Sequence, residues 1–277
     1  SRAMPVDEKP PAMPGDIYCY NIIKVIRVDN TKKFTNKADK YVSSRPSYPT
    51  KLMDYLYNEV GFSDESKIAD IGAGTGIFTR QLLERKSDVI AVEPNDDMRA
   101  KLIGLQKEFK NLKVLSGTAE NTLLENKSID FVTVAQAFHW FDAEKFKTEC
   151  RRVLKKDGKA VLVWNNRDEE SDIVKGNVEI FKKYCKNFTC LSGSRLKNYD
   201  GFGKFFEGEY KLLRFENNLQ FDREKFVGRS LSASYSLTAN DEKFDEYVKE
   251  LNELFDKYEK NGIATVPNYT EVYIGEV

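Results

Sequence analysis

The chain has 277 residues, and its 44 Lys and Arg side chains balance 44 Asp and Glu side chains, giving a formal net charge of +0 at pH 7. Hydrophobic residues make up 40% and charged residues 32%, a composition typical of globular proteins rather than disordered or membrane-spanning ones. The lack of a basic excess argues against a nucleic-acid partner, and no apolar run reaches the ~18 residues of a membrane span. We expect one large domain or two modest ones.

The first thirty residues differ from the rest of the chain. Four prolines lie within residues 1–16, which favours an extended arm. The segment has no basic start, clean apolar stretch or small-residue cleavage site, so it does not resemble a signal peptide. We predict that residues 1–30 lie outside the core fold or are foreign to the natural chain, and that residues 31–277 form a single domain.

Short apolar runs then alternate with amphipathic segments. Strands alternating with helices predict a parallel sheet with helices on both faces. The strands are continuous apolar runs, as a sheet covered on both faces requires. In chain order we predict a helix over residues 50–60, a strand over 67–71, a helix over 77–86, a strand over 89–92, a helix over 96–109, strands over 113–115 and 129–134, a helix over 143–155 and a strand over 159–164.

The alternation stops after Trp164. Residues 165–266 contain two helical patterns, 172–188 and 241–260, around a strand-like segment at 210–215, and residues 271–277 are another strand candidate. We predict a helical cap or lid over about residues 165–266, inserted above the carboxyl ends of the strands. The predicted fold is therefore α/β, Rossmann-like and doubly wound, with a mainly parallel sheet and an inserted helical cap.

The residue types available limit the possible chemistry. The chain contains four Cys with no Cys-x-x-Cys pair and a single His, His139, which is a poor donor set for a structural zinc ion. A chain of this length also has no need of disulfides for its stability. We expect reduced thiols, no metal and a cytoplasmic protein.

The sequence DIGAGTG, residues 70–76, follows a predicted strand and precedes a predicted helix. Glycines at this point let the backbone approach a ligand at a helix N-terminus. Glu93 ends the next strand, about 20 residues on, where an acid can bind ribose hydroxyls. The loop lacks the third glycine spacing of dinucleotide sites, and Asp70 would repel a pyrophosphate but attract an amino group. S-adenosylmethionine, with an adenosine end and a cationic amino-acid end, fits this pattern.

Four segments resemble successive motifs of class I S-adenosylmethionine-dependent methyltransferases: DIGAGTG, VEPNDDM (92–98), GTAE (117–120) and AQAFHWFD (135–142). The chain resembles in particular the small-molecule methyltransferases similar to trans-aconitate methyltransferase, through Tyr41, Arg45-Pro46 and residues 232–235. This resemblance covers about residues 31–277. It implies a seven-stranded sheet, S-adenosylmethionine as the cofactor and a small-molecule methyl acceptor.

The resemblance also implies a role for each matching residue. Asp70 and Gly72 would face the amino group of the cofactor, and Glu93 would hold its ribose. Met98 and Ala119 could instead be core residues, and Glu120 a solvated helix start. The other cofactor contacts that the resemblance implies are Tyr41, Ala73, Gly74, Thr75, Gly76, Pro94, Met98, Thr118, Ala119, Glu120, Gln136 and Ala137.

The acceptor side is less specific. His139 follows the fourth predicted parallel strand, at the edge where such sheets bind ligands, and histidine is the residue type that ionises near neutral pH. It would act either as a general base or as a hydrogen-bonded residue that orients its loop. Guanidinium groups can clamp a carboxylate, or can form surface ion pairs instead. The candidate acceptor contacts are Arg45, Trp140, Trp164, Arg167 and Tyr235.

We predict methyl transfer to an oxygen of a small organic molecule, either a carboxylate or a hydroxyl or phenol. The alternatives are an amine acceptor and a non-enzymatic S-adenosylmethionine sensor. A DNA amino-methyltransferase would resemble Asp/Asn-Pro-Pro where the chain reads AQAF (135–138), and an NAD-linked oxidoreductase requires the other glycine spacing. We therefore expect no nucleic-acid or membrane partner, and a monomer or weak dimer.

Overall fold

The computed structural model describes residues 46–191, 201–233 and 235–277, together with the backbone of Met4–Pro5. Tyr41, Arg45 and nearly all of the predicted arm lie outside the described residues. The strands are β1 (Met4–Pro5), β2 (Lys67–Ile71), β3 (Asp88–Val92), β4 (Leu112–Leu115), β5 (Ile129–Ala135), β6 (Leu154–Arg167), β7 (Lys211–Glu216), β8 (Leu219–Phe221), β9 (Glu259–Lys260), β10 (Ile263–Val266) and β11 (Asn268–Gly275). The helices are α1 (Thr50–Tyr55), α2 (Ile77–Glu84), α3 (Asp96–Leu105), α4 (Ala143–Val153), α5 (Asp172–Tyr184), α6 (Gly201–Phe205), α7 (Arg223–Leu231) and α8 (Phe244–Tyr258).

The main sheet has the strand order β1-β7-β11-β6-β5-β2-β3-β4. Strands β4, β3, β2, β5 and β6 are mutually parallel, while β11 runs antiparallel between β6 and β7. The two-residue strand β1 pairs with β7 at the edge. The prediction of a mainly parallel, doubly wound sheet is confirmed; the described residues form seven longer strands and this short eighth one.

Helices cover both faces of the main sheet. On one face α1, α2 and α3 contribute Leu52, Phe78 and Leu102 to a buried cluster with the strands. On the other face α4 and α6 contribute Phe146 and Phe205 to a second cluster. Because both faces are covered, the carboxyl edge of the parallel strands is the part of the sheet open to a ligand.

Most differences from the predicted elements are at their ends. The first helix starts at Thr50, with Pro49 rather than Thr50 as its cap, and it continues as a π-helical turn, Leu56–Val60. Strand β6 starts five residues earlier than predicted, because Leu154 already pairs with Ile129 of β5; residues 155–158 then form an irregularity in the register, and pairing resumes between Lys159 and Phe131. A polar, glycine-containing stretch resembles a turn in the sequence, so this extension was not predicted.

The predicted cap is divided between two parts of the structure. Helices α5, α7 and α8 pack with the small antiparallel sheet β8-β10-β9 around their own core, which includes Phe181, Tyr247 and Leu251. Strand β7, however, belongs to the main sheet, and α6 packs on the same face of that sheet as α4. The predicted cap over residues 165–266 therefore includes residues that belong to the main sheet, because Leu213 and Phe215 of β7 are buried in the main core.

In the part of the chain that the structure describes, no helix is both long enough and apolar enough to cross a bilayer.

Candidate functional site

The glycine loop joins the carboxyl end of β2 to the start of α2. Gly72, Gly74 and Gly76 have φ values of +67°, +60° and +87°, a conformation that favours glycine. The Gly72 N–H donates to the Val92 carbonyl at 2.8 Å, which fixes the loop against β3. A Cβ on Gly72 would lie 2.7 Å from the Cβ of Ala137. The loop geometry therefore requires glycine at position 72 for both conformation and space.

Glu93 lies at the end of β3 and is 7% exposed. Its Oε2 accepts a hydrogen bond from the Gly74 N–H at 2.8 Å, and its Oε1 accepts one from the Asn95 N–H at 2.8 Å. Burial raises the pKa of Glu93, while these two N–H groups act in the opposite direction. Each oxygen still has capacity to accept a further hydrogen bond, so the carboxylate can hold two hydroxyls of a ligand while it fixes the loop.

Asp70 lies beneath the glycine loop rather than on its open side. It is 1% exposed, and its two oxygens accept hydrogen bonds from the Thr79 hydroxyl at 2.6 Å and the Thr133 hydroxyl at 2.9 Å. The structure therefore differs from the predicted direct contact with an amino group. Asp70 instead ties β2 to α2 and β5 below the loop.

The buried carboxyl of Asp70 gives a pH-dependent stability. Burial raises its pKa to about 6, with smaller opposing contributions from the two hydroxyls. Between pH 4 and 6 the folded chain then binds more protons at Asp70 than the unfolded chain, so the free energy of unfolding falls as pH rises. At about 1.36 kcal/mol per pKa unit, the ionisation of buried Asp70 lowers the free energy of unfolding by roughly 2–3 kcal/mol across this pH range.

We expect this pH dependence of the free energy of unfolding to disappear in Asp70→Asn. Denaturant unfolding of both proteins from pH 4 to pH 7 measures it as the difference in free energy of unfolding. The wild-type protein should lose stability relative to the variant as pH rises through this window. A difference that is constant with pH would contradict the assignment.

A cleft of about 780 Å³ lies along the carboxyl edge beside the glycine loop. An adjoining cleft of about 410 Å³ shares the loop with it. The larger cleft is lined by Gly72, Gly74, Glu93, Pro94, Asn95, Met98, Thr118, Ala119, Glu120, Ala135, Gln136, Ala137, Trp140 and Phe141, and the adjoining one adds Pro46, Tyr48, Ala73, Thr75, Ile77, Phe78 and Asn165.

Most of the predicted cofactor residues therefore meet at one place. Gly76 is an exception, because it faces Leu102 and Leu105 of α3 rather than the cleft. Met98 and Ala119 are buried, as core residues are, and they also line the cleft.

Two of the lining residues hold the loops around the cleft in place. Gln136 has a positive φ of +62°, which is uncommon for a residue with a side chain and often marks a functional site. Its N–H donates to the Val163 carbonyl at 2.9 Å. The Glu120 carboxylate accepts from the Asp142 N–H at 2.9 Å, which ties the loop after β4 to the start of α4.

The predicted acceptor-side residues do not gather in the same way. Trp140 lines the cleft. His139 is exposed and does not line the cleft, and its ring centroid lies 4.6 Å from that of Trp140. Trp164 is 2% exposed and packs against aromatic rings of the core, so its predicted contact with an acceptor is corrected to a core position. Arg167 and Tyr235 interact with each other on the cap side, where burial raises the pKa of Tyr235 and the Arg167 guanidinium acts in the opposite direction.

The site also contains residues that the sequence analysis missed. Asn95 and Asn165 line the clefts, and Thr79 and Thr133 hold Asp70. Asn95 lies inside the VEPNDDM segment, so that motif was the available signal. The other three lie on separate elements and have no motif of their own.

Comparisons with known proteins agree with this geometry. A family model described as "Methyltransferase domain" matches residues 69–162. An uncharacterized methyltransferase-like protein of Schizosaccharomyces pombe is 33% identical over 227 residues, which cover 80% of this chain and 86% of that protein. An uncharacterized methyltransferase of Mycobacterium bovis is 40% identical over 143 residues, covering 52% of this chain and 56% of that one.

A solved structure, described as a type II methyltransferase from Anaeromyxobacter dehalogenans, has a TM-score of 0.57 and 20% identity. The match covers 84% of this chain and 97% of that one, which shows a shared fold. The predicted resemblance to class I methyltransferases is confirmed, and the oxidoreductase alternative is excluded. The chain belongs to the family of S-adenosylmethionine-dependent methyltransferases.

Proposed function

We propose that this methyltransferase moves a methyl group to an oxygen of a small organic molecule, with a carboxylate preferred over a hydroxyl or phenol. The observation that carries the proposal is the composition of the described cleft walls, which contain no His, Lys or Cys side chain. A carboxylate has a reference pKa near 4, so it enters ionised and needs positioning rather than deprotonation. The resemblance to trans-aconitate methyltransferase supports the same preference.

The residues of the cleft fit the cofactor that the family uses. When bound, S-adenosylmethionine supplies an electrophilic methyl group on a sulfonium. Glu93 has free acceptor capacity for ribose hydroxyls, and the apolar side chains of Met98 and Ala119 suit an adenine ring. The buried Thr75 hydroxyl has no hydrogen-bond partner among the described residues and lines the adjoining cleft. An unpartnered buried hydroxyl is costly, so a polar ligand group beside it is favoured.

The cleft walls have a second function in this proposal. Trp140 and Phe141 form an apolar wall, while Gln136 and Ala137 connect it to the glycine loop. Such a wall excludes water from the reacting atoms and holds the acceptor in line with the methyl group. Orientation of this kind can lower a barrier by up to ~7–11 kcal/mol.

An acceptor screen tests the proposal. Formation of S-adenosylhomocysteine would be measured with panels of small carboxylic acids, phenols and amines. We expect the highest turnover with an acid and a flat pH profile from pH 7 to 9, because no group on the cleft wall must lose a proton. Since His139 does not line the cleft, His139→Asn should change turnover by less than about threefold.

Two results would contradict the proposal. One is a best acceptor that is an amine. The other is a loss of about 10²–10⁴-fold in His139→Asn, the effect expected for removal of a general base.

A further inference from the structure

The segment Pro46–Ser47–Tyr48, which we call the wall segment, forms one side of the adjoining cleft beside the glycine loop. Pro46 and Tyr48 line it together with Gly72 and Gln136. The wall segment lies directly before α1, and among the described residues it pairs with no strand. Backbone carbonyls in such a stretch need hydrogen-bond donors from elsewhere.

Side-chain amides supply those donors. The Asn165 Nδ2 group donates to the carbonyls of Pro46 and Ser47, at 3.3 and 3.4 Å. The Asn217 Nδ2 group donates to the Ser47 carbonyl at 3.0 Å, and the Gln81 Nε2 group donates to the Tyr48 carbonyl at 2.9 Å. Three successive carbonyls are thus held from three separate elements.

Asn165 and Asn217 form one cluster with Thr270. The Asn165 Oδ1 accepts from the Asn217 Nδ2 group at 3.1 Å and from the Thr270 hydroxyl at 2.6 Å. These contacts fix the orientation of the Asn165 amide, because the reverse orientation would point its Nδ2 group at two donors and its oxygen at two carbonyls. Thr270 is fully buried in β11, so the cluster rests on the main sheet.

We infer that Asn217 is a positioning residue for cofactor binding: with Asn165 and Thr270 it holds the wall segment against the glycine loop. Asn217 does not line the cleft itself. It lies in the turn between β7 of the main sheet and β8 of the small antiparallel sheet. The wall of the adjoining cleft is therefore anchored where the main sheet connects to the small antiparallel sheet. The inference rests on the proposed assignment of this cleft to the cofactor.

Binding of S-adenosylhomocysteine to Asn217→Ala tests the inference. We expect the dissociation constant to rise about five- to tenfold, mainly through faster dissociation, because two side-chain hydrogen bonds are lost. The turn itself should persist, since the Asn217 N–H still donates to the Asn268 carbonyl at 2.9 Å. Calorimetry gives the affinity, stopped-flow fluorescence gives the rates, and thermal melting without ligand reports on the fold.

Asn218→Ala is the matched control. Asn218 lies in the same turn, and its side chain contacts Glu216 and the Asn268 N–H rather than the wall segment. Its dissociation constant should stay within twofold of wild type. Asn217→Asp keeps the shape but has no donor, so it should bind as weakly as the alanine variant. Wild-type affinity in Asn217→Asp would overturn the inference.

Thr270→Val provides a second route, because it removes one donor to the Asn165 oxygen at nearly constant volume. We expect a two- to fivefold weaker affinity. Affinities within twofold of wild type in both Thr270→Val and Asn217→Ala would overturn the positioning role. Failure of the wild-type protein to bind S-adenosylhomocysteine would instead contradict the cofactor assignment, so the two failures are distinguishable.

Discussion

Replacement of Glu93 with alanine is expected to weaken S-adenosylmethionine binding by about 2–4 kcal/mol, or roughly 30- to 1,000-fold, because charge-assisted hydrogen bonds in a buried site are lost. The carboxylate is 7% exposed and also accepts the Gly74 and Asn95 N–H groups. The variant therefore loses both the ligand acceptor and part of the loop's support. Isothermal titration calorimetry measures the effect directly.

Asp96→Ala is the charge-matched control for Glu93→Ala. Asp96 begins α3 three residues further on, and its side chain is 89% exposed in a pair with Arg99. It removes the same charge near the cleft without altering the cleft wall. Its affinity should remain within about twofold of wild type, since exposed pairs contribute little. Equal affinities for the two variants would contradict the role assigned to Glu93.

The second large effect is expected for Gly72→Ala. The new Cβ would lie 2.7 Å from Ala137 and 3.1 Å from the Phe141 ring, at a φ of +67°. Strain at positive φ costs about 1 kcal/mol, and overpacking typically adds 1–3 kcal/mol. We expect a loss of about 2–4 kcal/mol in the free energy of unfolding and a large loss of cofactor affinity, measured by denaturant unfolding and calorimetry.

Gly61→Ala separates strain from crowding. Gly61 ends the first helix at a φ of +102°, and no atom of the described residues lies within 4 Å of a built Cβ. This variant should lose only about 1 kcal/mol of stability and bind the cofactor like the wild-type protein. A stability loss in Gly72→Ala no greater than in Gly61→Ala would show that the close approach to Ala137 is not restrictive.

The elements that sequence reasoning located well are those whose own residues determine them. Strand β2 has the predicted bounds, because its apolar residues Ile68, Ala69 and Ile71 lie between a polar segment, residues 63–67, and the glycine loop. The glycine loop and Glu93 were predicted for the same reason, since both their residue types and their spacing carry the signal. Strand β7 was recognised as a strand but assigned to the cap, because its pairing partner β11 lies more than fifty residues later in the chain.

The positions that the sequence did not predict depend on contacts between distant segments. Asp70 was expected to face the ligand, but hydroxyls from α2 and β5 hold it below the loop. Trp164 was expected beside the acceptor, but rings from α6 and β11 bury it. The Asn165 and Asn217 cluster joins residues from four separate segments, so no local pattern indicates it.

The acceptor chemistry is tested most directly by the stability of the methylated product in base. The enzyme would be incubated with S-adenosylmethionine labelled in its methyl group and with the best acceptor from the screen, and the product would then be treated with mild alkali. A methyl ester is hydrolysed and releases volatile labelled methanol, whereas a methyl ether or a methylated amine keeps its label. Our account predicts release of labelled methanol. A product whose methyl group is stable to base and bound to nitrogen would contradict it.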